Sequence, residues 1–143
     1  MAKFNTYLVP IDFSKGSDAA LNHGLSLARD HRASVVLLHV IPDSLVYPTE
    51  ATTFDLYRLL ERDAHENFRR LARRKKLKPS DCRFVVARGT NFAETIVREA
   101  KKLRAAMIVM GSHGRTGLQR LMLGSVAEKT LRYADCPVLI VKK

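Results

Sequence analysis

The sequence predicts an α/β fold, a single doubly wound domain in which a parallel sheet carries helices on both faces. Short apolar runs of strand length alternate with stretches of helical periodicity along all 143 residues. The run VVLLHVI at residues 35–41 has no polar alternation, as expected of a strand covered on both faces. Right-handed crossovers place the intervening helices on both sides. Because 143 residues is the size of one domain, we predict a single domain over residues 1–143.

Each element follows from local signals. Ser14 and Ser17 are candidate N-caps of the first helix, and Asn91 with Glu94 three residues later forms a capping-box-like pair. Residues 42–53 contain two prolines and no periodicity, which predicts a loop. The predicted elements in chain order are strand 7–11, helix 17–31, strand 35–41, helix 54–77, strand 82–87, helix 91–103, strand 105–110, helix 125–133 and strand 137–141.

The stretch AAMIVMGSHGRTGLQRLMLGSV at residues 105–126 carries the clearest functional signal. A buried strand is followed by Gly111, Gly114 and Gly117, and then by Gly124 and Ser125 at the start of a helix. Glycines accept φ > 0 and let backbone N–H groups approach a ligand, and a helix N-terminus adds unpaired donors and partial positive charge. Arg115 presents a fork of donors suited to phosphate oxygens, although a solvent-facing arginine is the common alternative. The stretch predicts a phosphate site for a nucleotide.

The net charge of +11 favours anionic partners. Nine basic and two acidic residues lie in residues 100–143, which suits a polyphosphate but does not separate ATP from RNA. Residues Arg69 to Lys78 contain seven basic residues in ten. Because no aromatic residue is interleaved among them, we interpret this run as a solvated helix end and regard nucleic-acid binding as unfavoured.

Other features indicate a cytoplasmic protein without a membrane segment. No apolar run is long enough to cross a bilayer, and no secretory leader is visible. Cys82 and Cys136 are too few for a disulfide framework and are interpreted as small buried hydrophobes. The five histidines show no metal-ligand spacing, so we predict no metal site; His39 is interpreted as a core histidine and His113 as a solvent-facing loop residue.

The sequence resembles the universal stress protein (UspA-like) family over essentially its whole length. The segment LVPIDFS leads into a helix, and Gly111, Gly114, Gly124 and Ser125 fit the family's ATP-binding signature of glycine, two residues, glycine, nine residues, glycine, then Ser or Thr. The ending SVAEKTLRYADCPVLIV is also similar to that of the family. On this resemblance the chain is identified as a member of the ATP-binding subgroup.

The resemblance implies a five-stranded parallel sheet of order 3-2-1-4-5 and a homodimer formed through the last strand, here Val138, Leu139, Ile140 and Val141. It also implies that Asp12 lies near ribose and adenine and that Val40 packs on the base, although Asp12 alone would also suit a turn or a helix cap. The complete set predicted to bind the cofactor is Pro10, Asp12, Val40, Met110, Gly111, Gly114, Arg115, Gly117, Gly124, Ser125 and Val126.

We therefore predict a regulatory protein whose occupancy by ATP, or a related adenine nucleotide, alters its partners in a stress response. Any Mg²⁺ would be held mainly by the phosphates, because few acids lie near the glycine loop. Two alternatives remain: a slow ATP hydrolase and a nucleic-acid-binding protein. No P-loop lysine and no clear Walker-B acid are present, which favours binding over catalysis and predicts no catalytic residues.

Overall fold

The structure, a computed structural model, describes residues 5–43, 50–113 and 122–142, with side chains in the second range described from residue 56. Five strands alternate with four helices in these ranges. In chain order they are β1 (Thr6–Pro10), α1 (Lys15–His31), β2 (Ser34–Pro42), α2 (Glu50–Lys75), β3 (Arg83–Gly89), α3 (Phe92–Lys102), β4 (Met107–Gly111), α4 (Ser125–Tyr133) and β5 (Val138–Val141).

The five strands form one parallel sheet of order β3-β2-β1-β4-β5, which confirms the predicted topology. Leu8 at the centre of β1 is in register with Val36 of β2 and with Ile108 of β4. The chain moves outward from β1 in one direction to β2 and β3, then returns to β4 on the other side. The strand order therefore reverses between β1 and β4, where doubly wound sheets form their ligand crevice.

Successive side chains along each strand point to opposite faces of the sheet, so the core has two layers. One layer contains the side chains of Val9, Leu37 and Val109 with helices α1 and α2, and we call it the α1–α2 face. The other contains those of Leu8, Val40 and other strand residues with α3 and α4, and we call it the α3–α4 face. Both faces of the sheet are thus covered, which explains why its strands read as unbroken apolar runs.

The boundaries of several elements differ from the predicted ones. Helix α1 begins at Lys15, because Ser14 is the N-cap and its hydroxyl accepts from the Ser17 N–H at 3.3 Å; Ser17 is not a cap. Strand β2 includes Pro42, which is tolerated as a final strand residue. Helix α2 begins at Glu50, so the predicted loop 42–53 was wrong at both ends. Apolar periodicity in a sequence reveals only the part of a helix that packs on a core. The sequence of the first turn of α2 has no such periodicity, so the start of the helix was missed.

The two cysteines are free and half-buried on opposite faces of the sheet. Burial raises the pKa of both thiols, so they remain protonated and pack as weakly polar hydrophobes. In the parts of the chain that the structure describes, no helix combines the length and apolar character needed to cross a bilayer.

The N-cap of α3 provides a test of the fold. The Asn91 side chain accepts from the Glu94 N–H at 3.1 Å, as the sequence predicted. We expect Asn91→Ala to lower the free energy of unfolding by about 1 kcal/mol, because one N–H of the first turn loses its acceptor. Urea denaturation measures this. Asn91→Asp, which keeps an accepting oxygen, is the control, and equal losses in both variants would contradict the capping role.

Candidate functional site

A cavity of about 600 Å³ opens at the carboxyl edge of the sheet, where the strand order reverses. The ends of β1, β2 and β4 form its floor, and the start of α4 lines one end. Helix α2 and the start of α3 contribute the remaining walls. A cavity of this size suits a small organic ligand.

All of the predicted site residues that the structure describes line this one cavity. They are Pro10, Asp12, Val40, Met110, Gly111, Gly124, Ser125 and Val126. The remaining three predictions, Gly114, Arg115 and Gly117, lie outside the described residues. Residues that are far apart in the sequence therefore share one site, although the cavity by itself does not identify their ligand.

Helix α4 begins at the cavity wall. Gly124 is its N-cap with φ −62° and ψ 154°, and no side chain among the described residues caps this end. Ser125 is therefore the first helical residue and not the N-cap. The first helical bond runs from the Glu128 N–H to the Gly124 carbonyl at 2.9 Å. The preceding N–H groups of the first turn have no acceptor within the helix and form a natural anion site.

Gly111 and Gly124 are required for close backbone contact. A Cβ at Gly111 would lie 2.9 Å from the carbonyl carbon and oxygen of Gly16, and a Cβ at Gly124 would lie 2.9 Å from the Ser112 carbonyl oxygen. Both distances are shorter than any ordinary contact. The sequence argument had relied on φ > 0, which Gly124 does not adopt. These two glycines instead allow the end of β4 to pack directly against the starts of α1 and α4.

Asp12 lies in the turn between β1 and α1. Its Oδ1 accepts from the Ser14 N–H at 2.9 Å, and its own N–H donates to the Ser17 hydroxyl at 3.4 Å. Asp12 therefore braces the turn, one of the two roles considered, and it also lines the cavity. The two roles are compatible because a carboxylate has several acceptor positions.

Two histidines line the cavity. His39 donates from Nδ1 to the Ile11 carbonyl at 2.9 Å, so it is a satisfied, half-buried histidine as predicted. His113 was predicted to face solvent and does not. It is half-buried, its Nδ1 lies 3.0 Å from the Ser112 hydroxyl, and its Nε2 is shielded from solvent without a hydrogen-bond partner among the described residues.

Helix α2 supplies site residues that the sequence analysis missed. Asp63 and Asn67 line the cavity beside Leu60 and Ala64. These four positions follow the spacing i, i+3, i+4 and i+7, so they share one helix face. In the sequence, Asp63 and Asn67 are two polar residues on an otherwise apolar helix face. Whether such residues belong to a site depends on what packs opposite that face, which the sequence does not show.

A clasp at the ends of β2 and β3 holds α2 beside the cavity. Arg88 forms an ion pair with Asp43, and its guanidinium carbon lies 4.8 Å from the centre of the Tyr57 ring. Arg98 of α3 donates to the Arg88 carbonyl at 2.9 Å. Burial, followed by the charge of Glu61, raises the pKa of Tyr57, which therefore stays a neutral phenol. The clasp joins both helices to the ends of β2 and β3, beside the cavity.

The basic run from Arg69 to Lys78 has local partners. Arg69 pairs with Glu66 at 3.1 Å, which holds the pKa of that carboxyl below its usual value. Arg74 and Lys75 both contact Asp18 of α1, at 3.3 and 3.0 Å. Two of these cations thus join α2 to α1. This supports the interpretation of the basic run as the solvated surface of a helix end. Within the described ranges, no three His, Cys, Asp or Glu side chains converge as a metal site requires.

The fold and the site define a doubly wound α/β protein with a ligand cleft at its topological switch point. The sequence matches the universal stress protein family over residues 3–142, and the chain belongs to that family. It is 32% identical to universal stress protein MJ0531 of Methanocaldococcus jannaschii, across 98% of this chain and 83% of that protein. It is 30% identical to universal stress protein YxiE of Bacillus subtilis, across 97% of this chain and 99% of that protein.

The fold is also similar to solved structures. The structure of MJ0577, a universal stress protein of M. jannaschii, superposes with a TM-score of 0.84 at 30% identity, across 98% of this chain and 96% of that one. A universal stress protein in complex with cAMP and the one from Archaeoglobus fulgidus in complex with dAMP share the fold, with TM-scores of 0.63 and 0.61 at 22% and 19% identity. They cover 97% and 99% of this chain, and 97% and 100% of their own.

The close packing at Gly111 predicts a loss of stability on substitution. We expect Gly111→Ala to cost about 1–3 kcal/mol of unfolding free energy, because the new methyl group meets the backbone of Gly16, which cannot rotate away. Gly24→Ala is the matched control. Its methyl group would lie equally close, 2.9 Å, to a side-chain methyl of the buried Val9, but alanine also favours the helix by up to about 1 kcal/mol, which offsets part of the cost. A loss at Gly24 equal to that at Gly111 would contradict this argument.

Proposed function

We propose that this chain is an ATP-binding universal stress protein that acts as a cytoplasmic, dimeric, nucleotide-dependent regulator of a stress response. Its functional unit is one domain over residues 1–143. The proposed ligand contacts are the described cavity residues predicted from the sequence together with Gly114, Arg115 and Gly117. Family membership and the carboxyl-edge cavity support the binding of a nucleotide, and the resemblance to the ATP-binding subgroup supports the choice of ATP.

The observation that carries the proposal is the uncapped start of α4 in the cavity wall. In the part of the chain that the structure describes, no side chain caps this helix end, and Ser125 is exposed at the first helical position. The first-turn N–H groups and the positive end of the helix dipole attract an anion there. In the proposal the phosphates bind at this end, and the Ser125 hydroxyl donates to a phosphate oxygen.

The base and ribose occupy the rest of the site. Val40 and Met110 are almost fully buried side chains of the α3–α4 face at the cavity floor, and Ile96 of α3 lies among them. This apolar surface suits a planar base, while the Asp12 carboxylate, which lines the cavity, is suited to accept from the ribose hydroxyls. The cAMP and dAMP complexes of proteins with this fold make an adenine nucleotide a reasonable ligand class.

The proposed role is binding, with hydrolysis no faster than a slow leak. Efficient phosphoryl transfer requires a metal anchor and a group that orients the nucleophile. The cavity residue that could serve as a base at the phosphate end is His113. In the proposal Mg²⁺ enters with ATP and is held mainly by the phosphates. Steady-state turnover separates this regulator from the alternative of a purposeful ATP hydrolase.

Ser125→Asp tests the phosphate site. Titration calorimetry of nucleotide-stripped protein with ATP–Mg²⁺ should give one ATP per chain for the natural sequence. A carboxylate at the first helical position repels phosphate, so we expect at least about tenfold weaker binding. The same carboxylate suits the helix dipole, so thermal stability should be unchanged or slightly higher.

The control for this test is Ser125→Asn, which is polar but uncharged and should bind ATP far better than Ser125→Asp. Equal ATP affinity in the natural sequence and in Ser125→Asp would remove the start of α4 from the phosphate site. Absence of ATP binding by the folded natural protein would overturn the proposed function.

The dimer is proposed to form through β5. This strand pairs with β4 on one side and is the last strand of the described sheet. Leu139 on β5 and the nearby Leu131 and Tyr133 of α4 are large apolar side chains exposed by 36%, 49% and 59%. An open strand edge beside exposed apolar side chains is a natural pairing surface.

Leu139→Lys tests this interface by placing a charge within the proposed strand pairing. We expect sedimentation to show a shift from dimer to monomer at equal protein concentration. Leu59→Lys is the matched control and should leave the dimer intact. Leu59 is 51% exposed on α2, which packs on β2 and β3, whereas β5 lies at the opposite edge of the sheet. A dimer that survives Leu139→Lys would require another interface.

A further inference from the structure

The cavity extends onto both faces of the sheet. Successive residues of β2 alternate between faces, and Leu38 and Val40 belong to the α3–α4 face. His39 and Ile41 therefore point to the α1–α2 face, and all four residues line the cavity. The proposed base and phosphate contacts Val40, Met110 and Ser125 lie on the first side. The second side, which we call the α2 lobe, is lined by Phe13, His39, Leu60, Ala64 and Asn67, with Asp63 at its rim.

The sequence of α2 leaves this lobe open. Further along the same helix, Phe68 stacks on Phe84 with ring centres 4.5 Å apart and Leu71 is buried in the core of the α1–α2 face. At the level of the cavity the equivalent face carries Leu60, Ala64 and Asn67, and the last two are small or polar. Ala64 lines the cavity, so a larger apolar side chain there would take up space in the lobe, as Phe68 takes up space in the core further along the helix. The helix therefore forms one wall of a space that it does not fill.

Aromatic rings form the opposite wall. The rings of Phe13 and His39, which both line the cavity, lie 5.1 Å apart. Phe13 adopts φ 62°, a left-handed conformation that is rare and strained for a bulky residue. Such strain persists only where the surroundings hold the residue in place, and it is concentrated at ligand-binding positions. The hydrogen bond of His39 to the Ile11 carbonyl fixes the second ring.

The polar groups of the lobe match a heteroaromatic ring. The half-buried Asn67 amide both donates and accepts hydrogen bonds, as the edge of a nucleobase does. Asp63, at the exposed rim, accepts from an amino group or a hydroxyl. Aromatic faces with an adjacent amide are the surroundings in which planar heterocycles stack and are recognised.

We propose that the α2 lobe binds a second planar heteroaromatic or aromatic ring that is part of the same nucleotide ligand. This inference rests on the proposed function and extends it, because the natural ligand would then carry two ring systems rather than one. Such a ring has two chemical sources. It is either a substituent on the adenine, which would reach the lobe past Val40, or the second nucleoside of a dinucleoside polyphosphate.

Calorimetric titration of the full chain with three probes tests the proposal and separates these sources. The probes are ATP, N6-benzyl-ATP, in which the ring is attached to the base, and diadenosine tetraphosphate, in which it is attached through the phosphates. We expect one of the last two to bind about tenfold more tightly than ATP, since stacking of a ring on aromatic side chains is worth about that much. If both bind no more tightly than ATP, the proposal is wrong.

Variants of α2 test whether the tighter binding of the two-ring probe depends on the α2 lobe. Ala64→Leu should fill the lobe and abolish the advantage of the two-ring probe over ATP, with both affinities measured in the same variant. Asn67→Leu has similar volume without the amide; it tests the lobe independently if Ala64→Leu does not fold, and it should reduce the advantage severalfold. Arg73→Leu, an exposed position on the same helix outside the cavity lining, is the control and should retain the full advantage.

The outcomes distinguish the two proposals. Normal ATP binding without a two-ring advantage overturns only the α2 lobe. Equal weakening of ATP and the two-ring probe by both lobe variants also overturns it, because the lobe would then hold the mononucleotide itself. Failure of all three probes to bind the folded protein overturns the proposed function and the α2 lobe with it.

Discussion

Close backbone contact at the end of β4 determines the geometry of the site. The end of β4 at Gly111 meets the start of α1 at Gly16, and a Cβ on Gly16 would lie 2.7 Å from the His113 carbonyl oxygen. Gly124 donates its N–H to the Ser112 carbonyl at 2.7 Å, which holds the start of α4 against the same segment. Three glycines thus bring one strand end and two helix starts closer together than side chains permit.

This packing brings two helix N-termini to one edge of the sheet, but they differ in what they offer a ligand. At α1, the Ser14 hydroxyl and the Asp12 carboxylate already accept from backbone N–H groups. At α4, the cap is a glycine with no side chain. The carboxylate also lowers the positive potential at the start of α1. For the phosphates of the proposed ligand, the better donors are therefore those at α4, whereas the carboxylate beside α1 suits hydroxyl groups.

The sequence was sufficient for features that depend on local chemistry or on strand order. Unbroken apolar runs indicated buried parallel strands, and Asn91 indicated a helix start because capping involves only neighbouring residues. The sequence did not reveal why glycine is needed at position 111. Gly111 contacts Gly16, which is far away in the sequence, so the sequence alone could not distinguish a need for close backbone contact from a need for positive φ. Asp63, Asn67 and the half-buried state of His113 also depend on tertiary neighbours, and no local pattern contains that information.

The position of α4 also suggests how ligand occupancy would reach the surface of a regulator. Helix α4 is short, beginning at the cavity with Ser125 and ending at Tyr133, and β5 follows a few residues later. The exposed Leu131 and Leu139 lie on these same two elements. A ligand changes a protein's state only through contacts that differ between states. Phosphates bound at the first turn of α4 would make such contacts at one end of a rigid element whose other end leads to the exposed sheet edge. A ligand that also occupied the α2 lobe would fix α2 relative to α4, coupling both faces of the sheet to one binding event.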